Sequence, residues 1–279
     1  ILAAGFAHAD VTFSGKGEAG VYQDPGASEA VADMTVYSGY DLNVAVSGAS
    51  DNGITYSMGF DLGGGLIADR NDDFEMDAQD YGSATSALTM GYAGITIVAG
   101  QNKIDDLYSD GQDGDVSIAG AFGDLKFAVV ADTDSGAGSN SFSLSGGAGD
   151  ISWAFVTTDN NSAADAATGD SASKVTVGYT VSDALSFSFK HDTKGAATAI
   201  NTVSATIAMG SLTLGLSADD NNDNDISVGY AAGPLSVAFA TDEADAWSFA
   251  SEYDLGGGAS AFASIDESEF TALGLSFAF

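Results

Sequence analysis

The chain has 279 residues, no cysteine and a formal net charge of −33, because 40 acidic residues stand against seven basic ones. The lack of cysteine excludes a disulfide framework and a thiolate metal site. The charge argues against a nucleic-acid-binding protein, since contacts to phosphates need a basic patch and none is visible. Disorder is disfavoured as well, because 45% of the residues are hydrophobic.

The first segment, residues 1–9, reads ILAAGFAHA, an apolar run that ends in an A-x-A motif. This pattern is typical of the end of a secretory signal peptide, and an ordinary apolar first strand is the alternative. We therefore expect a signal-peptide remnant over residues 1–9 and one domain over residues 10–279. No later segment has 18 consecutive apolar residues, so a membrane span would have to be a β-barrel.

Apolar and polar residues then alternate along most of the chain, starting at Val11. Residues 54–62 place isoleucine, tyrosine, methionine, phenylalanine and leucine on one face, and threonine, serine, glycine and aspartate on the other. Residues 184–192, 235–240 and 272–279 repeat the pattern with small residues on the second face. Small polar residues suit a wall that faces confined water, and large apolar residues suit lipid.

The connections between these segments alternate between tight turns and long, mostly acidic stretches. Tight turns include residues 93–94, 123–124 and 210–211, and long stretches include residues 63–82, 101–114 and 158–172. This arrangement predicts an all-β fold, a transmembrane antiparallel β-barrel with short periplasmic turns and long acidic extracellular loops. We expect about 18 strands, and 16 if the two short segments near Thr89 and Thr96 are not strands.

Three short motifs resemble the general porins of alphaproteobacteria. Residues 10–15 (DVTFSG) resemble their first mature strand, residues 253–260 (YDLGGGAS) their last periplasmic turn, and residues 273–279 (LGLSFAF) their final strand with its terminal Phe279. The resemblance implies a homotrimer of barrels in which the third extracellular loop, here residues 101–114, folds inward. General porins have sixteen strands and a basic cluster opposite their acidic loop. This sequence departs from both features, because it predicts about 18 strands and has only seven basic residues.

The candidate pore residues follow from this interpretation. The third loop carries Asp105, Asp106, Asp110 and Asp113. Alternation places Lys16, Lys190, Asp41 and Asp61 on the small-residue faces, so they point into the lumen. Because carboxylates outnumber ammonium groups along this path, we expect the channel to favour cations.

A second hypothesis concerns calcium, because hard cations prefer several oxygen ligands. Residues 219–225 (DDNNDND) cluster such ligands in one loop, with Asp219, Asp220, Asp223 and Asp225 as the candidates. A solvated acidic surface loop is the alternative. The glycine and closing glutamate of an EF-hand loop are absent, since Asn224 and Tyr230 stand at those positions.

These features predict an outer-membrane porin, not an enzyme. Its channel would pass small hydrophilic solutes and cations by passive diffusion in contact with outer-membrane lipid, with no required cofactor and no nucleic acid. One alternative is a secreted, acidic, calcium-dependent all-β adhesin or surface-layer protein, which would bury its apolar faces in a soluble core. Another is a barrel enzyme or a substrate-specific channel, although a Ser-His-Asp triad would have to use His191.

Overall fold

The computed structural model describes residues 9–26, 31–71, 73–79, 87–109, 111–133, 138–160, 171–193 and 198–279. All regular elements in these ranges are β-strands: β1 (Ala9–Asp24), β2 (Val31–Ala49), β3 (Thr55–Ala68), β4 (Met76–Gln79), β5 (Leu88–Tyr92), β6 (Ile95–Asp105), β7 (Asp113–Phe122), β8 (Leu125–Ala131), β9 (Ser141–Ala148), β10 (Ile151–Thr158), β11 (Ala172–Ser182), β12 (Leu185–Asp192), β13 (Ile200–Met209), β14 (Leu212–Asp219), β15 (Asn224–Ala232), β16 (Leu235–Asp242), β17 (Trp247–Gly256), β18 (Ala259–Asp266) and β19 (Thr271–Ala278). No helix in the described ranges is long and apolar enough to cross a membrane.

The strands form a closed antiparallel barrel. Each strand of the wall pairs with its neighbours along the chain, and β1 pairs with β19 from Lys16–Ala278 to Gln23–Thr271, which closes the ring. The β3 strand pairs with β5 along its first residues, Thr55 to Met58, and with β4 along its last residues, Gly65 to Ala68. Without the short β4 the wall has 18 strands, so the predicted count is confirmed, including the strands that contain Thr89 (β5) and Thr96 (β6).

The outer face of the barrel is apolar. Large hydrophobic side chains are exposed on strands all around the ring, among them Phe13 (64%), Phe122 (70%) and Val203 (56%). A soluble protein does not expose so continuous an apolar surface, whereas a membrane barrel presents it to lipid. The alternative of an adhesin with its apolar faces in a soluble core is therefore wrong.

Strands β3 and β4 occupy part of a segment that the sequence predicts to be a long loop. The interpretation of residues 63–82 as one long loop is wrong, because β3 continues to Ala68 and β4 covers Met76–Gln79. The strand pattern is not visible there because this segment leaves the barrel wall and enters the lumen. Strand β1 begins at Ala9, and residues 1–8 lie outside the described residues, so the signal-peptide remnant over residues 1–9 stays a prediction.

Candidate functional site: the constricted lumen

Successive residues of a strand point to opposite faces of the barrel wall. The residues that point to the inner face are mostly small. On β13–β17 this face includes Thr206, Thr213, Ser227, Ala240 and Ser248. These residues line one cavity together with the segment that connects β3 and β4. The cavity is therefore the part of the lumen that stays open between this segment and the barrel wall.

The β3–β4 hairpin, defined here as residues 65–79, folds from the wall into the lumen. The pairing of β3 with β2 ends at Gly65, which has a φ of +79°, a left-handed conformation that favours glycine. A Cβ atom at Gly39 on β2 would lie 2.2 Å from the carbonyl oxygen of Leu66. The chain thus crosses the inner face of β2 at a position without a side chain, and these two glycines permit the inward turn.

Glu18 on β1 holds the base of this hairpin. Its side chain is 0% exposed. Its Oε1 atom accepts hydrogen bonds from the Ala68 backbone N–H at 3.0 Å and from the Tyr37 hydroxyl at 2.6 Å. Its Oε2 atom lies 3.6 Å from the Arg70 guanidinium. A buried carboxylate is costly unless it is paired and hydrogen-bonded, and here the hairpin supplies two of its three partners.

Arg70, the only arginine of the chain, joins the hairpin to a second part of the wall. Its Nη1 atom lies 3.7 Å from Glu252 on β17, and its Cζ atom lies 3.7 Å from the centre of the Phe262 ring on β18. Glu252 and Phe262 stand directly opposite each other in the β17–β18 register. One guanidinium therefore contacts three strands of the wall by ion pairs and a cation–π contact.

A small hydrophobic core lies inside the barrel beneath this hairpin. It contains Tyr22, Tyr37, Phe74, Phe262 and Phe270, which are all buried. The rings of Tyr22 and Tyr37 pack edge to face, with centroids 5.7 Å apart. Aromatic side chains in a wet lumen gain free energy when they are covered, at roughly 25 cal/mol per Å² of apolar surface removed from water. This packing adds to the attachment of the hairpin.

A second inward segment, the β6–β7 loop over residues 106–112, covers another part of the wall. Its first residue, Asp106, is buried and accepts hydrogen bonds from the backbone N–H groups of Tyr108 and Ser109. It also accepts from the hydroxyls of Ser139 at 2.7 Å and Thr158 at 3.1 Å. Because these bonds use the carboxylate of Asp106, this predicted pore residue ties the loop to the barrel and does not present a free charge to the channel.

Tyr108 at the tip of this loop reaches the inner face of β11 and β12. Its hydroxyl donates a hydrogen bond to Asp192, and its ring lies 4.0 Å from the Lys174 ammonium. The same ammonium donates to the Tyr108 carbonyl oxygen at 2.6 Å. Lys174 and Asp192 face each other across the β11–β12 pair, on the face opposite the exposed Val175 and Val177. The loop is thus attached to the lumen side of the wall.

The other predicted pore residues fall into two groups. Lys16 stands opposite Asp41 in the β1–β2 register, and the Asp41 carboxyl interacts with the Asp61 carboxyl on β3, so these three form one charged patch on the inner wall. Lys190 lies elsewhere, between Thr176 and Thr202 on the inner face of β12. The structure does not bring Lys190 to the patch.

Two of the three remaining acids of the third loop stand at its base. Asp105 and Asp113 lie opposite each other in the β6–β7 register, and Asp105 is exposed. Asp110 lies outside the described residues.

The mouth of the open part of the lumen is acidic. Asp225 and Asp242 stand directly opposite each other at the extracellular ends of β15 and β16, on the inner face. They line one opening beside Phe74 together with further carboxylates, namely Asp73, Asp266 and Glu267. None of these residues is among the predicted pore residues, and Asp225 is predicted only as a calcium ligand.

The candidate calcium ligands are engaged in hydrogen bonds within the β14–β15 turn and its surroundings. Asp219 accepts from the N–H groups of Asn221 and Asp223, and Asp225 accepts from Ser217. The Asn201 side chain donates to Asp220 and lowers the pKa of that carboxyl, whereas the Asp219 charge raises the pKa of Asp223. Among the described residues no three carboxylate, histidine or cysteine side chains converge as a metal ligand set.

Sequence reasoning missed the residues that anchor the two inward segments: Tyr37, Arg70, Tyr108, Asp192, Glu252 and Phe262. Their contacts join positions far apart in the chain, such as Tyr108 and Asp192 at a separation of 84 residues. One signal was available, because Arg70 stands alone among the acids of residues 69–80. An isolated cation in an acidic segment indicates a specific carboxylate partner.

A closed 18-stranded barrel with an apolar exterior, a small-residue lumen and inward segments defines a transmembrane channel of the bacterial outer-membrane type. The family model of the Gram-negative porins matches residues 1–273, and the chain belongs to this family. It is a porin of the bacterial outer membrane.

Solved structures support the fold. A Rhodopseudomonas blastica porin with three substitutions superposes with a TM-score of 0.57 at 14% sequence identity, over 97% of this chain and 100% of that chain. A second triple mutant of the same porin gives a TM-score of 0.57 at 15% identity with the same coverage. No individual curated protein sequence matches the chain.

Proposed function

We propose that this porin passes small hydrophilic solutes by passive diffusion and prefers cations. The observation that carries the proposal is the acidic mouth, where five carboxylates line the opening of the lumen beside Phe74. Fixed carboxylates around an opening raise the local concentration of cations and lower that of anions. The extracellular entrance therefore favours cations before a solute reaches the constriction.

The charges deeper in the lumen agree with this preference. The only guanidinium of the constriction lies between two carboxylates, Glu18 and Glu252, so the cluster keeps a net negative charge. The wall patch combines one ammonium, Lys16, with the carboxyls of Asp41 and Asp61. Neither group gives the pore the strong basic cluster that would attract anions.

A reversal-potential measurement tests the preference. The porin is reconstituted in a planar bilayer between two KCl solutions of different concentration, and the zero-current potential is read. We expect the sign of cation selectivity, and we expect it to weaken as salt rises, because the screening length falls from about 10 Å at 0.1 M to about 3 Å at 1 M. Anion selectivity at low salt would contradict the proposal.

We further propose a single barrel domain over residues 10–279 that assembles as a homotrimer, with the third loop over residues 101–114 as part of the constriction. The resemblance to general porins supports the trimer, and the attachment of Tyr108 to Lys174 and Asp192 supports the role of the loop. Sedimentation in a density-matched detergent would measure the mass of the assembly. A monomer under gentle extraction would count against the trimer.

The channel is proposed to need no cofactor and to catalyse no reaction, with calcium as an optional ligand of the loop over residues 219–225. The support for calcium is the repulsion between Asp219 and Asp223, which a bound cation would relieve. Calorimetric titration with calcium, in the wild type and in Asp219→Asn, tests this ligand. Equal heats for the two proteins would remove the proposal for this loop.

A further inference from the structure

We infer that Arg70 is the positioning residue that holds the β3–β4 hairpin inside the barrel, so that this hairpin sets the width of the channel. The resemblance to general porins assigns the narrowing to the third loop, whose described residues here pack against β9–β12. The hairpin covers a different part of the wall, where it contacts β1, β17 and β18. The open part of the lumen therefore lies between the hairpin tip and the small residues of β13–β17.

The backbone alone attaches this hairpin weakly. Its two strands share only the pairs from Gly65–Gln79 to Ala68–Met76, and beyond Gly65 the register with β2 ends. A short two-stranded hairpin is marginally stable in water. Its position in the lumen must therefore come from side chains that fasten it to the wall.

Arginine suits this attachment better than any other cation. Its planar fork offers separate N–H groups, so Nη2 reaches Glu18 on β1 while Nη1 reaches Glu252 on β17. The face of the same guanidinium lies over the Phe262 ring. A lysine at this position would gather its donors on one nitrogen, without a planar fork that spans two carboxylates or a flat face for the Phe262 ring, and so would hold the hairpin less firmly.

Because Glu18 is buried, its carboxylate depends on Arg70 for a counter-charge. Because its side chain is 0% exposed, loss of Arg70 leaves a carboxylate in a buried site without its cation. Removing one partner of a buried pair is strongly unfavourable. Movement of the hairpin away from the wall would let water reach Glu18, so we expect the hairpin of an Arg70→Ala variant to leave its position and the lumen to widen.

Single-channel conductance at high salt separates width from charge. At about 1 M salt the screening length is only about 3 Å, so fixed charges have little effect on ion concentration in the pore. We expect Arg70→Ala to raise the conductance about twofold, because the current through a water-filled pore grows with its cross-section. Arg70→Lys should fall between this variant and the wild type. Lys126→Ala, which removes one exposed positive charge from β8 beside the short turn over residues 123–124, should leave the conductance unchanged.

A chemical rescue distinguishes positioning from a general loss of structure. The chain has no cysteine, so Arg70→Cys creates one reactive thiol. Aminoethyl methanethiosulfonate forms a disulfide with this thiol, releases methanesulfinate and leaves a lysine-like ammonium, which should lower the conductance to the Arg70→Lys value. The sulfonatoethyl reagent adds a negative charge instead and should leave the conductance high. Heat-dependent mobility on a denaturing gel reports that each variant forms a barrel.

The outcomes are decisive in both directions. Unchanged high-salt conductance in a folded Arg70→Ala barrel, or equal responses to the two reagents, would overturn the inference. If Arg70→Ala does not fold, Arg70→Lys and Glu252→Gln carry the test, because each weakens the attachment while Glu18 keeps a cation. The cation preference proposed above is read from reversal potentials, so its failure would leave this result untouched.

Discussion

The hydroxyl of Tyr108, on the β6–β7 loop, donates a hydrogen bond to Asp192 on β12 at 2.5 Å, across 84 residues of sequence. Asp192 is 1% exposed, and Tyr108 is buried as well. A hydrogen bond to a charged group in such a site contributes more than a bond between neutral partners at the surface. The pair therefore fixes the loop to the lumen side of the wall.

The Tyr108→Phe variant tests this attachment. Removing the hydroxyl deprives a buried carboxylate of one donor, and we expect the free energy of unfolding to fall by about 1–3 kcal/mol. Equilibrium denaturation of the barrel in lipid vesicles measures the change. Tyr92→Phe is the matched control, because Tyr92 is 59% exposed on the outer face and should lose little. Equal losses in the two variants would show that the Tyr108 hydroxyl has no special role.

Neutralising the acidic mouth should reduce the cation preference. In Asp225→Asn/Asp242→Asn, two carboxylates that face each other at the entrance become neutral amides of the same shape. We expect a smaller reversal potential at low salt and little change at high salt, since the effect is one of screened charge. The measurement uses calcium-free solutions, so that the candidate ligand Asp225 reports only on the channel.

The control for this variant is Asp183→Asn, which removes an exposed carboxylate from the short turn between β11 and β12 at the opposite rim. It should change the reversal potential less than the mouth variant does. If the control had the larger effect, selectivity would arise at the periplasmic end of the channel.

The faces and number of the strands could be predicted because strand geometry repeats every two residues. Leu273, Leu275 and Phe277 are exposed on the outer face of β19, where alternation puts them. The β3–β4 hairpin could not be predicted in the same way. Its position depends on two glycines that permit an inward turn and on the contact of Arg70 with Glu18, which no local period encodes.

The candidate site was predicted in part for the same reason. Alternation placed Lys16, Asp41 and Asp61 on the inner faces of their strands, and the register brings these three residues together. It could not show that Asp106 accepts hydrogen bonds from the loop backbone and from Thr158 on β10, because these contacts form only when the loop folds onto the wall. The face to which a side chain points follows from its place in the strand, whereas the partners of a buried charge depend on how the whole barrel folds.

A pair of adjacent substitutions tests which face of β13 meets lipid. Val203 is 56% exposed on the outer face, whereas Ser204 faces the lumen between Ser188 and Ser217. An arginine on the lipid face costs about 2–4 kcal/mol at the bilayer midplane, and lumen substitutions act mainly on selectivity. We therefore expect Val203→Arg to lower the unfolding free energy in vesicles and Ser204→Arg to shift the reversal potential instead. The reverse pattern would place β13 with its faces exchanged.

The pKa values of two carboxyls in the β14–β15 turn are shifted in opposite directions from that of an ordinary aspartate. The pKa of Asp220 is lowered, first by the hydrogen bond from the Asn201 side chain, so its contribution to stability is present at neutral pH and is lost as the pH falls through its folded value. The pKa of Asp223 is raised, first by the charge of Asp219, so its ionised form opposes folding at neutral pH and protonation relieves this repulsion. Carboxyl chemical shifts followed against pH in detergent should show Asp223 titrating above Asp220. In Asp219→Asn the Asp223 midpoint should move down while that of Asp220 keeps its place, and an unmoved Asp223 midpoint would contradict the assigned cause.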